Sequence, residues 1–424
     1  MKTGINTTDL IKDISNSINF WTEIIYKTYF SKYSKIKPIH IFEFVLHLAE
    51  FPDIGSKALL EKMYFDFSIR NKVDIKRIKP VISSMNEARD KININIWKLV
   101  FNDITQLLQK YIKGPRYFAI DGSYIVTQNS AIFKEKYKCK SGSYLPHVLT
   151  SLLYDIDYGF PVHTLVCDHT NERQAALEHM QYIKKGDVVV MDRGYYSKEL
   201  LDAFMKRGIH VLFRMKCNTS KHIWEETNDD VLDIKDGYNC RFIKYVINEH
   251  SFMLLTSLLD SNIDSHEFIK ELYHKRWDIE TAFRYVKQNL SFAHMHARTV
   301  PHLVEEVNAN FVLSSLAKVL EFHAINMSTY KVKGGVFNRN VLVNDNPNGK
   351  NDLKINFKSC LLFIDNIFTT NNIDLLHQFN ILVPHIISNL VPIKKNRSFK
   401  LVSRQPQNHW IKQDRTFMKK NDDK

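Results

Sequence analysis

The chain has 424 residues, 44% of them hydrophobic and 25% charged, with a formal net charge of +13. That length allows two or three domains of ordinary globular composition, and so large a positive surplus points to a polyanionic partner, with DNA, RNA and anionic membrane as candidates. The five cysteines, Cys139, Cys167, Cys217, Cys240 and Cys360, stand singly, which argues against a disulfide framework or a structural zinc site and fits a reducing cytoplasm. Neither a signal-peptide pattern nor an apolar run of bilayer length is found, so the expectation is a cytoplasmic protein with no membrane partner.

Residues 8 to about 112 read as mostly helical. Ile41, Phe44, Val45 and Leu48 share one helical face, and Leu59 to Tyr64 repeats the pattern. This region, 1–112, is expected to be a helical N-terminal domain; packing and DNA binding are both open roles, and no helix-turn-helix stands out. The character changes at Gly114-Pro115. Tyr117 to Ile120 is a short apolar strand ending in Asp121-Gly122. Residues 147–156 and 160–167 read as two more strands joined by a turn at Asp157-Tyr158-Gly159. Asn171 to Ile183 has helical spacing. Val188 to Met191 is a continuous apolar, mostly β-branched run that suits a fully buried strand. Ser197 is placed to cap a helix to Lys206, Ile209 to Met215 is a fifth strand, and His266 to Leu290 reads as one long helix.

This order, three strands and then alternating helix and strand, predicts an α/β fold with a mixed sheet, the element order of the ribonuclease H-like fold. The core is expected over 113–216 and 264–325. Residues 217–263, with strand-like Arg241–Val246 and Phe252–Leu255, are expected to form a β-rich insertion outside the central sheet. Thr299 and Pro301 open a further helix to about His323. The remaining 326–424 form a mostly helical C-terminal region that begins with a polar loop and ends in a basic tail.

Three acids stand out by position. Asp121 ends the first strand, Asp192 ends the buried fourth strand, and Glu280 lies within the long helix. Carboxylates at the ends of neighbouring central strands converge on one sheet edge, and a helix across that edge can add a third. Such hard oxygen ligands suit Mg2+ or Mn2+, and two ions about 3.5–4 Å apart can activate a water or 3′-hydroxyl and stabilise a leaving oxygen. Singly, each acid has a bland explanation: a turn, a strand end, a solvated helix face. The helix around Glu280 distinguishes the readings. At about 100° per residue, Tyr273, Arg276, Glu280 and Lys287 fall within roughly 60° of one another, flanked by Arg284 and Trp277. Cations and an aromatic around one acid suit a grip on a phosphate backbone, whereas i,i+4 pairing alone would explain only Arg276 with Glu280.

The spacing Tyr273-x2-Arg276-x3-Glu280-x6-Lys287 resembles the YREK signature of the IS-four class of insertion-sequence transposases, within the DDE superfamily. Asp192-Arg193-Gly194-Tyr195 and Ile120-Asp121-Gly122-Ser123 resemble that family's second and first aspartate motifs. The resemblance covers residues 117–291. It implies a ribonuclease H-like enzyme that cuts the terminal inverted repeats of a bacterial element and joins them to target DNA by cut-and-paste transposition, as a homodimer in the synaptic complex, nucleoid-associated when bound. It assigns Asp121, Asp192 and Glu280 to two divalent ions, Mg2+ with Mn2+ as a substitute, and Tyr273, Arg276 and Lys287, with Arg284 beside them, to DNA. Trp224 is a candidate to stack on a flipped base, with an ordinary core tryptophan as the alternative. A structure-selective nuclease and an inactive, transposase-derived DNA-binding protein remain as other readings of the whole.

Several features are weaker. Lys134, Lys136, Lys138 and Lys140 alternate, as on a DNA-facing ribbon or a solvated loop. The tail from Lys394, with Trp410 among its cations, suits either backbone tracking or solubility. His294 and His296 lack further zinc ligands. Asn171 reads as a helix cap and Glu172 as a weaker metal candidate.

Overall fold

The computed structural model describes residues 2–30, 35–72, 74, 80–92, 95–137, 139, 144–216, 221–247, 250–333, 337–344, 351–362, 364 and 374–393. Five helices come first: α1 (Thr7–Tyr29), α2 (Pro38–Glu50), α3 (Ser56–Asn71), α4 (Ile82–Lys91) and α5 (Ile96–Tyr111). The α/β part follows as β1 (Tyr117–Val126), α6 (Ala131–Lys136), β2 (His147–Asp155), β3 (Phe160–Val166), α7 (Glu172–His179), β4 (Val188–Met191), α8 (Lys198–Lys206) and β5 (His210–Arg214). Next are α9 (Lys221–Glu225), β6 (Asp230–Lys235), β7 (Tyr238–Ile247), β8 (His250–Thr256), α10 (His266–Lys275), α11 (Trp277–Asn289) and α12 (Val300–Met327). Last are β9 (Leu353–Ile355), α13 (Phe357–Leu362), α14 (Leu375–Ser388) and β10 (Leu390–Pro392).

The main sheet has eight strands in the order β3-β2-β1-β4-β5-β8-β7-β6. β1, β2 and β3 form an antiparallel meander, and β4 runs parallel to both β1 and β5. This is the ribonuclease H-like mixed arrangement. β4 is buried along its whole length, as a central parallel strand covered on both faces must be. The helix ends follow side-chain chemistry: Ser197, Ser265 and Thr299 each accept a backbone N–H of the first turn of the helix they open.

Three expectations are corrected. The insertion does not stand outside the sheet: β8 pairs antiparallel with β5, Phe213 opposite Leu255, so β6, β7 and β8 extend it. Alternating strands look alike whether they start a new sheet or prolong an old one, and only the pairing partner decides. Asp121 does not end its strand, because β1 stays paired with β2 as far as Val126 opposite His147. The single long helix is two, α10 and α11, meeting at Arg276.

α12 is buried on every side, the mark of a helix at the centre of a core. It packs on α2, α5, α13 and α14 as well as β3, so the N-terminal helices share one continuous apolar core with the sheet. Arg89 of α4 crosses to Glu305 at 2.6 Å and to the fully buried Glu306 at 3.4 Å. Glu306 also accepts the backbone N–H groups of His296 and Ala297. Among the described residues no helix is long and apolar enough to cross a membrane.

The register of β1 is fixed at its first residues. The Arg116 guanidinium binds the buried Asp155 carboxylate through Nε and Nη2. Asp155 also accepts the N–H groups of Asp157 and Tyr158, and the Arg116 N–H donates to Asp187 at 3.1 Å. Removing the cation strands a buried carboxylate. Arg116→Met is therefore expected to cost about 3–5 kcal/mol, read by urea unfolding, and adding Asp155→Asn should recover part of the loss. An Arg116→Met protein as stable as the wild type would contradict this account of the register.

Candidate active site

β1 and β4 bring two aspartates level. Tyr117 pairs with Val188 and Ala119 with Val190 in parallel; carried on by two residues, that register sets Asp121 of β1 beside Asp192, the residue just past β4. Asp121 Oδ1 accepts the N–H of Gly122 at 2.9 Å. Asp192 opens a turn closed by the Tyr195 N–H on the Asp192 carbonyl at 3.0 Å.

The junction of α10 and α11 supplies the groups that meet these acids. The Arg276 side chain is only 6% exposed and lies between two carboxylates, with Nη1 3.6 Å from Asp121 Oδ2 and Nη2 2.5 Å from Glu280 Oε1. The Tyr273 hydroxyl donates to Asp192 Oδ1 at 3.1 Å, and Lys287 Nζ donates to the Ser123 hydroxyl. Side chains alternate along a strand, so Ser123 lies on the same face as Asp121. Asp121, Asp192, Glu280, Tyr273, Arg276 and Lys287 thus gather at one place, joined through Arg276 and Tyr273. Among the described residues, however, no three His, Cys, Asp or Glu side chains stand close enough together to hold an ion; between Asp121 and Glu280 lies a guanidinium.

Electrostatics follow from this crowding. Burial pushes the Asp121 carboxyl up to about 6; the Gly122 N–H and Arg276 pull it down, and Glu280 and Glu172 add to the rise. Burial and the neighbouring Asp192 carry the Tyr273 phenol well above its ordinary value. Tyr195 is raised by burial and then by Asp121 and Glu172.

The other candidates make no hydrogen bond or ion pair to the three acids among the described residues. Arg284 is exposed and donates to the Thr281 hydroxyl. Trp224, on α9, is half-buried and packs on the apolar core. Lys134 and Lys136 sit on the short helix α6 and so form no strand-like ribbon; Lys138, Lys140 and the tail from Lys394 lie outside the described residues. Two groups at the site were weak or missing in the sequence pattern. Tyr195, 2% exposed, buries a hydroxyl with no hydrogen-bond partner among the described residues. Glu172 approaches from the far face of β1, against Gly122. Neither spacing nor periodicity reports such contacts across the sheet.

Residues 112–316, a span containing all three acids, match the family described as transposase DDE domain. The transposase InsG for insertion sequence element IS4 of Escherichia coli (strain K12) is 25% identical over 256 residues, covering 53% of this chain and 57% of that protein. A probable transposase for insertion sequence element IS5377 of Geobacillus stearothermophilus is 26% identical over 150 residues, covering 31% of this chain and 39% of that protein. The matches therefore span about half, or less, of these relatives' own lengths. Among solved structures, a piggyBac transposase synaptic complex with hairpin DNA aligns with a TM-score of 0.47 at 8% identity, over 96% of this chain and 89% of that one, a likeness too slight to bear on the site.

The raised Asp121 value has a consequence for stability. Its carboxyl is pushed from 3.8 to about 6, so the folded state holds a proton that the unfolded chain has lost. The stabilisation linked to that proton is present below about 3.8 and is lost as pH rises through about 6, a cost of at most roughly 3 kcal/mol. In metal-free protein, Asp121→Asn should raise the melting temperature by a few degrees at pH 7.5 and leave it nearly unchanged at pH 4. An equal shift at both pH values would contradict this.

Proposed function

Residues 112–316 place the chain in the transposase DDE-domain family, of the IS4 insertion-sequence type, and from that premise we propose that it cuts the terminal inverted repeats of its element and joins them to target DNA by cut-and-paste transposition. The observation that carries the reading is the meeting of Asp121 and Asp192, level on adjacent strands, with Glu280 through Arg276 and Tyr273.

The donor set fits hard divalent cations. Asp121, Asp192 and Glu280 offer carboxylate oxygens, and the buried Tyr195 hydroxyl beside them is unpaired among the described residues. These three acids would hold two Mg2+ ions, or Mn2+ in their place. Such ions supply activation of a water or 3′-hydroxyl and stabilisation of the leaving oxygen. The chain's own residues do the remaining work. Ligation requires an ionised carboxylate, and with its value near 6 Asp121 is mostly ionised at neutral pH. Tyr273 fixes the Asp192 carboxylate through its hydrogen bond. Without ions, Arg276 balances the charge of Asp121 and Glu280 and keeps the two acids together. Lys287 and Arg284, on the same helix as Glu280, put positive charge beside the scissile phosphates, and the +13 net charge favours DNA approach. Joining two ends to one target calls for two copies of the chain, a homodimer on DNA.

The test is incubation of the protein with double-stranded DNA bearing its own element ends and Mg2+, with every cut and joint mapped. The wild type should cut at the ends and join them to target. Glu280→Gln keeps the shape and removes one charge from the ion site. It should lower cutting and joining by more than about 100-fold, the upper range for groups one shell further from a metal. Its DNA affinity without metal should hold or rise, since a charge that repels phosphate is gone. Near wild-type cutting by Glu280→Gln would remove Glu280 from the mechanism. Cutting without joining would leave a structure-selective nuclease, and binding without cutting would leave a transposase-derived DNA-binding protein.

A further inference from the structure

The site holds more acid than Asp121, Asp192 and Glu280. Glu172 is the first residue of α7, whose cap is Asn171; the Asn171 side-chain oxygen accepts the N–H groups of Arg173 and Gln174. The next residue, Arg173, donates from Nε to the Gly194 carbonyl at 3.0 Å. That bond ties the start of α7 to the turn that follows Asp192.

Adjacent residues of a strand face opposite sides. Asp121 faces Arg276, so Gly122 faces α7. A Cβ on Gly122 would lie 2.9 Å from both Glu172 Oε1 and Leu149 Cδ1 and 3.2 Å from Glu172 Cδ, so the Glu172 carboxylate and the Leu149 side chain share the room that any other residue at 122 would fill. Gly122 is not among the glycines with positive φ. Its backbone is open to any residue, and what glycine supplies here is close approach. An acid is a poor choice for packing alone at such a point, because its charge is set beside that of Asp121. An independent observation concerns Tyr195. Its side chain is 2% exposed, its hydroxyl has no hydrogen-bond partner among the described residues, and the charges that act on it are those of Asp121, Glu172, Arg276 and Asp192. Buried hydroxyls are almost always hydrogen-bonded, so one surrounded by acids yet bonded to none of them points to a polar ligand in their midst.

We infer that Glu172 is a fourth carboxylate of the divalent-ion site, brought close to β1 by the absence of a side chain at Gly122 and approaching Asp121 past the end of the β1–β4 pairing. The inference rests on the ion-binding reading of Asp121, Asp192 and Glu280. Two ions held by three carboxylates keep an excess of positive charge, to which Arg276 adds, and that excess is reduced by Glu172. Gly122 is then the residue that admits it.

The experiment titrates Mn2+ alone into the full-length protein, followed by calorimetry or water-proton relaxation, with circular dichroism to check folding. Glu172→Gln should weaken Mn2+ binding at least 10-fold or remove one of two sites. Gly122→Ala, which keeps the acid but displaces its carboxylate, should weaken it likewise. Glu178→Gln, an exposed acid of the same helix, should bind as the wild type does. If Glu172→Gln and Gly122→Ala bind Mn2+ like the wild type while Asp121→Asn does not, the ion site stands and Glu172 has no part in it. If Asp121→Asn also binds like the wild type, or the wild type binds no Mn2+, the ion-binding reading fails and this inference falls with it.

Discussion

The site depends on one buried guanidinium. Asp121, Asp192 and Glu280 come together from three separate elements, and two carboxylates about 5 Å apart repel by roughly 3 kcal/mol at an effective dielectric of about 20. Arg276, 6% exposed and 2.5 Å from Glu280, supplies the compensating charge from the point where α10 gives way to α11. The backbone at Arg276 stays helical, φ −51° and ψ −31°, so one helical face serves both sides of it: Tyr273, in the last turn of α10, reaches Asp192, while Glu280 and Lys287 on α11 reach the face of β1 that carries Asp121 and Ser123. Replacing Arg276 by lysine would keep the charge but lose the fork that spans both acids.

The surrounding fold serves to hold those few atoms still. β4 lies between two parallel neighbours with both faces covered, so Asp192 leaves a strand that cannot slide. Arg116, Asp155 and Asp187 set the register at the start of β1, and four residues later that register delivers Asp121. The buried α12 links the sheet to the N-terminal helices, with Arg89 and Glu306 as the polar tie inside the shared core. The three strands from the insertion lengthen the sheet beyond β5, so that β5 is paired on both sides.

Much of this was legible in the sequence, for identifiable reasons. The strands at 147–155 and 160–166, the caps at Ser197 and Thr299, and the buried run at Val188 follow from local patterns, and local chemistry decides them. The Tyr273, Arg276, Glu280 and Lys287 stripe was visible because helical periodicity puts them on one face; in the structure Tyr273 meets Asp192, Arg276 meets Asp121 and Glu280, and Lys287 meets Ser123. What was not legible depends on partners far away in the chain. Asp121-Gly122 looks like a turn, yet pairing with β2 carries the strand five residues further than Asp121. Alternation in the insertion could not say which edge would receive it. The break at Arg276 leaves no Gly or Pro as a sign. Glu172 and Gly122 lie fifty positions apart, and nothing in either local pattern signals that one makes room for the other.

The central proposal is that Asp121 and Glu280, joined through Arg276, and Asp192, held by Tyr273, are the ligands of a divalent-ion pair. The most direct measurement is an anomalous-scattering map of crystals of the protein grown with Mn2+. The account predicts two peaks about 3.5–4 Å apart, bounded by oxygens of Asp121, Asp192 and Glu280, with the Arg276 guanidinium moved off Asp121. Mn2+ bound elsewhere, or no Mn2+ at the site with the contacts of Arg276 to Asp121 and Glu280 intact, would contradict it.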